Sequence, residues 1–282
     1  MVVSRFTKRF DTLTTHLILG LFALFALFPI IYTLMTSFKN GSTENGVLTR
    51  PPTLFPQQVS LEGYQTVFNS DMVKHFIPNS LINSVVSSVM VVVVASLAGY
   101  TFSRYRFRGS RVLEFMILGL MMIPGLTNLI PLYKMASDAG MLDRHEFIIA
   151  VYTAGGLPFA IWIIRSFFET IPLELEEAAL IDGCSPLGAL IRVVVPLAMP
   201  GLMAAFLLMF VDTWNEFLAA LALLSGTART VTVGLYDFQS SYEIAYHVWT
   251  AACVLIMAPV MLLFLALRRH FFEAMLQGAV KG

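Results

Sequence analysis

The chain has 282 residues, of which 57% are hydrophobic and 13% are charged, and its formal net charge at pH 7 is zero. A soluble domain of average composition carries about 25% charged residues, so these values exclude an ordinary soluble protein. The balanced charge also provides no global field that would attract nucleic acid, and we expect no nucleic-acid partner. The composition predicts an integral membrane protein in contact with lipid.

Six long apolar stretches follow one another along the chain. About 20 apolar residues cross the hydrocarbon core as a helix, because the backbone must satisfy its hydrogen bonds internally there. The first stretch is too long for the apolar region of a signal peptide. The sequence therefore predicts an all-α polytopic protein with a single transmembrane domain, residues 1–282. The predicted spans are approximately 14–37, 79–101, 113–134, 147–166, 201–224 and 245–267.

The distribution of Lys and Arg predicts the orientation of these spans. With the N-terminus inside, 12 of the 18 basic residues lie in cytoplasmic segments and six lie in the outer loops. Basic residues are retained on the cytoplasmic side of a membrane. We therefore expect a multi-pass protein of the cytoplasmic (inner) membrane, with both termini and the loop 169–200 in the cytoplasm.

The third predicted span contains residues that interrupt a helix. Pro124 and Gly125 lie near its middle, and Pro131 follows within the same stretch. Breaks of this kind occur in membrane proteins where the backbone borders a cavity. Asn128, between these residues, is therefore a candidate for the lining of such a cavity.

The loop 169–200 carries the signals of two helices with a sharp joint. Pro172 suits the first turn of a helix, and Gly183 permits the left-handed conformation that ends one. Ser185 and Pro186 form an N-cap and first-position pair for a second helix. Pro196 is expected to interrupt that second helix before the fifth span begins.

Two interpretations of this loop follow from its residues. The pair of helices could lie on the bilayer surface, but surface helices favour Lys and Arg, and anionic headgroups repel the carboxylates of this loop. Alternatively, small residues and carboxylates could dock into a groove of a soluble partner that offers basic groups. Ala178 and Ala179 keep the first helix thin enough for such an approach. The acidic composition favours docking.

The fifth predicted span contains three polar residues at helical spacing. Asp212, Asn215 and Glu216 are separated by three and four positions, which predicts one face of a continuous helix. A carboxylate at the bilayer centre costs about 2.5 to 3.5 kcal/mol on insertion scales. This face is therefore expected to border either a wet cavity or another protein helix, and both alternatives remain open.

Several kinds of chemistry lack their sequence signals. The chain contains no Gly-Lys pair and therefore no phosphate-binding P-loop. It contains no His-Glu-x-x-His run and no Gly-x-Ser-x-Gly turn. We expect no catalytic residue, no metal site and no bound nucleotide in this chain. The two cysteines, Cys184 and Cys253, are not expected to form a disulfide.

A family resemblance emerges from the loop and is extended by other motifs. The series Glu177-Ala178-Ala179, with Gly183 four residues later and Pro196 at its end, resembles the EAA loop of ABC-importer permeases. The wider stretch is similar to the carbohydrate branch of that family, of the maltose-type, MalG-like kind. The resemblance covers nearly the whole chain from residue 60. Other stretches that resemble the family are "SLEGYQTVF", "NSLINSVVSS", "RYRFRGSRVLEFMILGLMMIPG", "PFAIWIIRSFF", "WNEFLAAL" and "GAVKG".

The resemblance implies a fold, partners and residue roles. It implies the type I importer (MetI-like) permease fold, two cytoplasmic ABC ATPase subunits that bind ATP and Mg, a second permease, and an extracytoplasmic sugar-binding protein. The chain itself would hold no cofactor and would carry a sugar or oligosaccharide inward by alternating access. The residues expected to couple to the ATPase are Glu177, Ala178, Ala179, Asp182, Gly183 and Pro196, and those of the ATPase-contacting tail are Gly278 and Lys281.

Under this resemblance, Asp212, Asn215, Glu216 and Asn128 are expected to line the translocation path, where Asn215 and Glu216 could bond sugar hydroxyls. The alternative role for the polar face of the fifth span is contact between helices or with a partner subunit. Two rival functions also remain at this stage. One is an importer of a polyol or glycerol phosphate on the same scaffold, and the other is an ion-coupled secondary carrier.

Overall fold

The computed structural model describes residues 5–41, 53–238 and 245–279. Within these ranges no β-strand occurs, and one isolated antiparallel bridge joins Lys39 and Val59. The expected all-α class is confirmed. The α-helices in the described ranges are α1 (Arg5–Ser37), α2 (Glu62–Asn69), α3 (Ile77–Arg104), α4 (Ser110–Leu120), α5 (Leu129–Asp138), α6 (His145–Phe168), α7 (Leu173–Ile181), α8 (Pro186–Ala189), α9 (Val195–Leu197), α10 (Met199–Asn215), α11 (Leu218–Leu223), α12 (Val231–Gly234) and α13 (Tyr246–Ala279).

Four stretches of helix in the described ranges are long and apolar enough to cross a membrane, and two bent helix pairs raise the number to six. The chain is therefore a polytopic helical protein, in agreement with the expected class. The second span is longer than its predicted 79–101, because a π turn extends α3 at its start. The four continuous spans are Thr14–Ser37, Met72–Arg104, His145–Phe168 and Tyr246–Phe272.

The third predicted span is broken near its middle. After α4 the chain turns by 88° before the helical stretch Gly125–Asp138. Pro124 has an extended conformation, with φ of −61° and ψ of 128°, which an α-helix cannot continue. The weak point that Pro124 and Gly125 indicate is thus a real break in the helix.

The fifth predicted span, 201–224, is also interrupted. Its first part, α10, ends at Asn215, and Glu216 has an extended conformation before α11 begins at Leu218. No glycine or proline accompanies this break. The prediction of one continuous helix across residues 201–224 is therefore wrong, for a reason that lies in the contacts of Glu216.

The chain forms two compact units, Met1–Ser70 with Leu235–Met257, and Asp71–Gly234 with Ala258–Gly282. In the first unit, the hydroxyl groups of Ser37 and Tyr64 are hydrogen-bonded at 2.7 Å. The buried Nζ of Lys39 donates to the carbonyl of Thr53 at 2.8 Å. The free-energy cost of burying this charge is offset by that hydrogen bond and by a cation–π interaction with the ring of Tyr32, whose centroid lies 5.8 Å from Nζ.

The second unit has its main core between α3, α6 and α10. Ala95 of α3 is fully buried, and one turn later the backbone of Gly99 approaches α6 closely. A Cβ atom on Gly99 would lie 3.1 Å from the backbone nitrogen of Arg165. Small residues at this spacing let the two helices pack at short distance. The core also includes Leu190 and Val194 from the loop 169–200, so that loop is part of the packed structure.

Candidate functional site

The loop between α6 and α10 begins with α7, which follows an extended Pro172. Just beyond its end, Gly183 has a φ of 91°, in the left-handed region that favours glycine. The N–H of Cys184 donates to the carbonyl of Ala179 at 3.0 Å, and the N–H of Gly183 donates to the carbonyl of Leu180 at 3.1 Å. These two bonds form a Schellman motif. The predicted first helix and its sharp joint are confirmed.

The second arm of the loop starts at Ser185. Its side-chain hydroxyl accepts a hydrogen bond from the N–H of Gly188 at 3.1 Å, and Pro186 occupies the first turn, as predicted. The arm continues through a π turn, Leu190–Val194, and α9, which ends at Leu197. The predicted interruption before the fifth span is present as a 79° bend between this arm and α10. The exposed Pro196 itself lies within α9, so the bend begins just after the proline and not at it.

Glu176 is the buried member of the acidic pair in α7, with 4% of its surface exposed. Arg104 donates from Nε to its Oε2 at 2.8 Å, and the hydroxyl of Tyr100 donates to its Oε1. Arg104 also donates from Nη2 to the carbonyl of Ile171 at 3.2 Å. A buried charge is stable only when it is paired and hydrogen-bonded. These three side chains, Tyr100, Arg104 and Glu176, form what we call the anchor cluster, which holds α7 against the end of α3.

The opposite side of α7 and its joint is open. Ala179 is buried with Glu176, whereas the neighbouring Ile181 is 86% exposed. The loop therefore has one anchored face and one free face. The exposed coupling candidates on the free face are Glu177, Ala178, Asp182 and Gly183.

Glu216, one of the residues predicted to line the translocation path, lies just after the end of α10. Its carboxylate accepts hydrogen bonds from the N–H groups of Ala219 at 2.7 Å and Ala220 at 3.0 Å, and from the hydroxyl of Tyr152 at 2.8 Å. The first two bonds cap the N-terminus of α11, and the third joins it to α6. The prediction that Glu216 shares a helical face with Asp212 and Asn215 is therefore wrong.

Asp212 and Asn215 are exposed near the end of α10. The amide of Asn215 donates to a carbonyl of its own helix at 2.7 Å. Asn128 is exposed in the turn between α4 and α5. Its neighbour Leu129 packs against the same apolar cluster as residues of α11. Within the described ranges, however, no hydrogen bond or ion pair joins Asn128 to the polar residues of α10.

The C-terminal tail is described only in part. Gly278 lies in the last turns of α13, and Lys281 lies outside the described residues. In the part of the chain that the structure describes, no group of three or more His, Cys, Asp or Glu residues could hold a metal ion. Cys184 and Cys253 are both free.

Sequence reasoning missed the anchor cluster. Arg104 is one of the basic residues that predict orientation, and Glu176 is one of the carboxylates of the loop 169–200. One signal was available, because Tyr100 and Arg104 are four residues apart and share a face at the end of an apolar span. Their carboxylate partner lies 72 residues further along the chain, and nothing local distinguishes Glu176 from Glu177.

Comparison with known proteins decides the family. A model of the family described as "Binding-protein-dependent transport system inner membrane component" matches residues 91–277. The chain belongs to this family. The permease is thus a multi-pass inner-membrane subunit of an ABC importer, which agrees with the function expected from the EAA-like loop.

Relatives of the permease match it over nearly their whole length. The inner membrane ABC transporter permease protein YcjP of Escherichia coli (strain K12) is 37% identical over 268 residues, which cover 94% of each chain. The trehalose/maltose transport system permease protein MalG of Thermococcus litoralis is 33% identical over 273 residues, covering 94% of the permease and 96% of that relative. A solved chain of a bacterial ABC transporter involved in the import of the acidic polysaccharide alginate has a TM-score of 0.79 and 26% identity, covering 96% of the permease and 99% of that chain.

Proposed function

We propose that the permease carries a sugar or oligosaccharide inward, together with two ABC ATPase subunits, a second permease and an extracytoplasmic sugar-binding protein. The substrate class is supported by the relatives, one of which is named for trehalose and maltose and another for alginate. Family membership favours this function over an ion-coupled carrier. ATP and Mg bind to the partner ATPases, because this chain has no P-loop.

The observation that carries the proposal is that the loop 169–200 has an anchored face and a free face. The anchored face is held to the end of α3 through Glu176, while Glu177 and Asp182 are exposed on the free face. A partner that binds the free face can therefore move α7 and α3 as one body, since the anchor cluster between them is buried and hydrogen-bonded. We infer that ATP-driven closure of the ATPases is transmitted to the spans by this route.

The proposed orientation puts this loop and both chain termini in the cytoplasm. Its support is the excess of Lys and Arg in the same segments. In this orientation α3 and α6 run inward to the loop, and α10 runs outward from it. The tail with Gly278 and Lys281 would then reach the ATPases from the same side.

For the translocation path we propose Asp212, Asn215 and Asn128 as lining residues. The exposed side chains of the first two lie about 20 Å or more from the start of α10, at 1.5 Å per helical residue. Glu216 is not a lining residue in this proposal, because its carboxylate already accepts hydrogen bonds from α11 and Tyr152. Its role is to stabilise the break in the fifth span, while the exposed Asp212 and Asn215 contact the sugar.

Charge reversal at Glu177 tests the coupling role. We expect Glu177→Lys to insert and fold normally, because the side chain is exposed, but to reduce ATP-driven uptake at least about tenfold, since one opposed charge pair at an interface is worth more than about 1.4 kcal/mol. Uptake is measured in proteoliposomes that contain both permeases and the ATPases, with the binding protein added.

Glu146→Lys is the matched control, because Glu146 is also an exposed helical glutamate but lies at the opposite ends of the spans. This control is expected to transport normally. Full uptake by Glu177→Lys would remove the coupling role, and uptake by the permease without any ATPase would favour an ion-coupled carrier.

A further inference from the structure

A polar cavity of about 480 Å³ opens beside the end of α3 and the start of α4. It lies in the second unit, next to the anchor cluster, at the level where two predicted spans leave the membrane. Its wall is made mainly by the connection between those helices. The charged side chains that line it are Arg104, Arg106, Arg111, Glu114, Arg165 and Glu169.

The charges in this wall are only partly neutralised. Arg165 forms ion pairs with Glu114 and with Glu169, the latter at 2.9 Å between Nε and Oε1. Arg106 and Arg111 are exposed, and neither forms an ion pair with any residue in the described ranges. Two arginines without an ion pair in the described ranges therefore line a cavity that is large enough for a phosphate group and its hydration. Arginine is well suited to bind phosphate oxygens by paired N–H donors.

An apolar cleft adjoins this cavity and shares two of its lining residues, Phe102 and Glu114. It has a volume of about 10 Å³, enough for one water molecule only, and lies between α4 and α6. No residue of α4 is fully buried, and the apolar side chains of Val112, Phe115 and Met116 are exposed. The other residues of the cleft are Ile117, Leu118, Pro158, Ile161 and Trp162.

We propose that the cavity binds the headgroup of one anionic phospholipid. The phosphate lies between Arg106 and Arg111, and the acyl chains lie along the exposed apolar side chains of α4, Phe115 and Met116 among them, toward the hydrocarbon core. The cavity alone would suit any phosphate, whereas the exposed apolar surface of α4 beside it gives acyl chains a place to lie. Basic pockets between membrane helices at this level are suited to anionic headgroups.

The test is native mass spectrometry of the purified permease in detergent, with equal amounts of phosphatidylglycerol and phosphatidylcholine that carry the same acyl chains. We expect wild type to prefer phosphatidylglycerol. The variant Arg106→Ala/Arg111→Ala should lose about 30-fold in this preference, from the usual contribution of two basic residues near anionic lipid. Arg108→Ala is the matched control, because Arg108 lies in the same exposed segment but does not line the cavity.

Further arms separate the lipid from other anions and from misfolding. Arg106→Lys/Arg111→Lys should keep most of the preference, and inorganic phosphate or glycerophosphoglycerol without acyl chains should not displace the lipid. An unchanged preference in the double alanine variant would overturn the site. If Arg108→Ala lost the preference for phosphatidylglycerol equally, general surface charge and not this site would explain the preference. Displacement of the lipid by free phosphate would show that the cavity binds anions without regard to lipid.

Discussion

Replacing Arg104 by Met removes the guanidinium from the anchor cluster and leaves the carboxylate of Glu176 buried without its charged partner. The side chains of Arg104 and Glu176 are 9% and 6% exposed, so water cannot replace the lost contact without local opening. The substitution also removes the bond to the carbonyl of Ile171. We therefore expect α7 to detach from the end of α3 far more often than in wild type.

The expected size follows from the burial of this pair. Breaking a buried ion pair by removing one partner costs about 3–5 kcal/mol, and 3 kcal/mol corresponds to about 150-fold in an equilibrium constant. Replacing both partners is much less costly, because no uncompensated charge remains. The double variant Arg104→Met/Glu176→Leu should therefore recover much of the stability that Arg104→Met loses.

Hydrogen exchange of the amides of α7 measures this opening in the folded permease. We expect at least about 100-fold faster exchange in Arg104→Met, a smaller increase in the double variant, and no change in Arg108→Met, whose arginine is exposed. Slow exchange in Arg104→Met, at the wild-type rate, would refute the anchoring role. A double variant as unstable as the sum of the two single variants would refute the argument from an unpaired buried charge.

Two further substitutions test the local geometry. Gly183→Ala should lower the unfolding free energy by about 1–2 kcal/mol, because its φ of 91° is left-handed, while Gly183→Asn should cost less; equal thermal unfolding of wild type and Gly183→Ala would contradict the Schellman joint. Glu216→Ala should cost about 1–2 kcal/mol, because it uncaps α11 and leaves Tyr152 without its acceptor. Tyr152→Phe should cost less than Glu216→Ala, and the reverse order in thermal unfolding would contradict the capping role.

Local signals were sufficient to predict the shape of the loop 169–200. The left-handed Gly183 and the N-cap at Ser185 each act within a few residues, so their structural effect can be read from the sequence. The interruption expected at Pro196 begins after Leu197, and sequence does not specify the last residue of a helix.

Long-range contacts explain what sequence could not predict. The break in the fifth span has no helix breaker, and it is held by Tyr152, 64 residues before Glu216, and by the hydroxyl of Thr232, which donates to the backbone carbonyl of Glu216 at 2.7 Å. The burial of the Glu176 side chain likewise depends on its ion pair with Arg104. A spacing of three and four residues describes a face only while the helix continues.

The accessibility of one side chain tests whether the exposed face of the loop 169–200 docks to an ATPase. Ile181 is 86% exposed, so Ile181→Cys, in a chain with Cys184→Ala, should react rapidly with a membrane-impermeant maleimide in the isolated permease. Assembly with the ATPase subunits should slow that reaction at least about tenfold, as expected for a side chain buried at an interface. Equal reaction rates in the isolated and the assembled permease would contradict docking through this face.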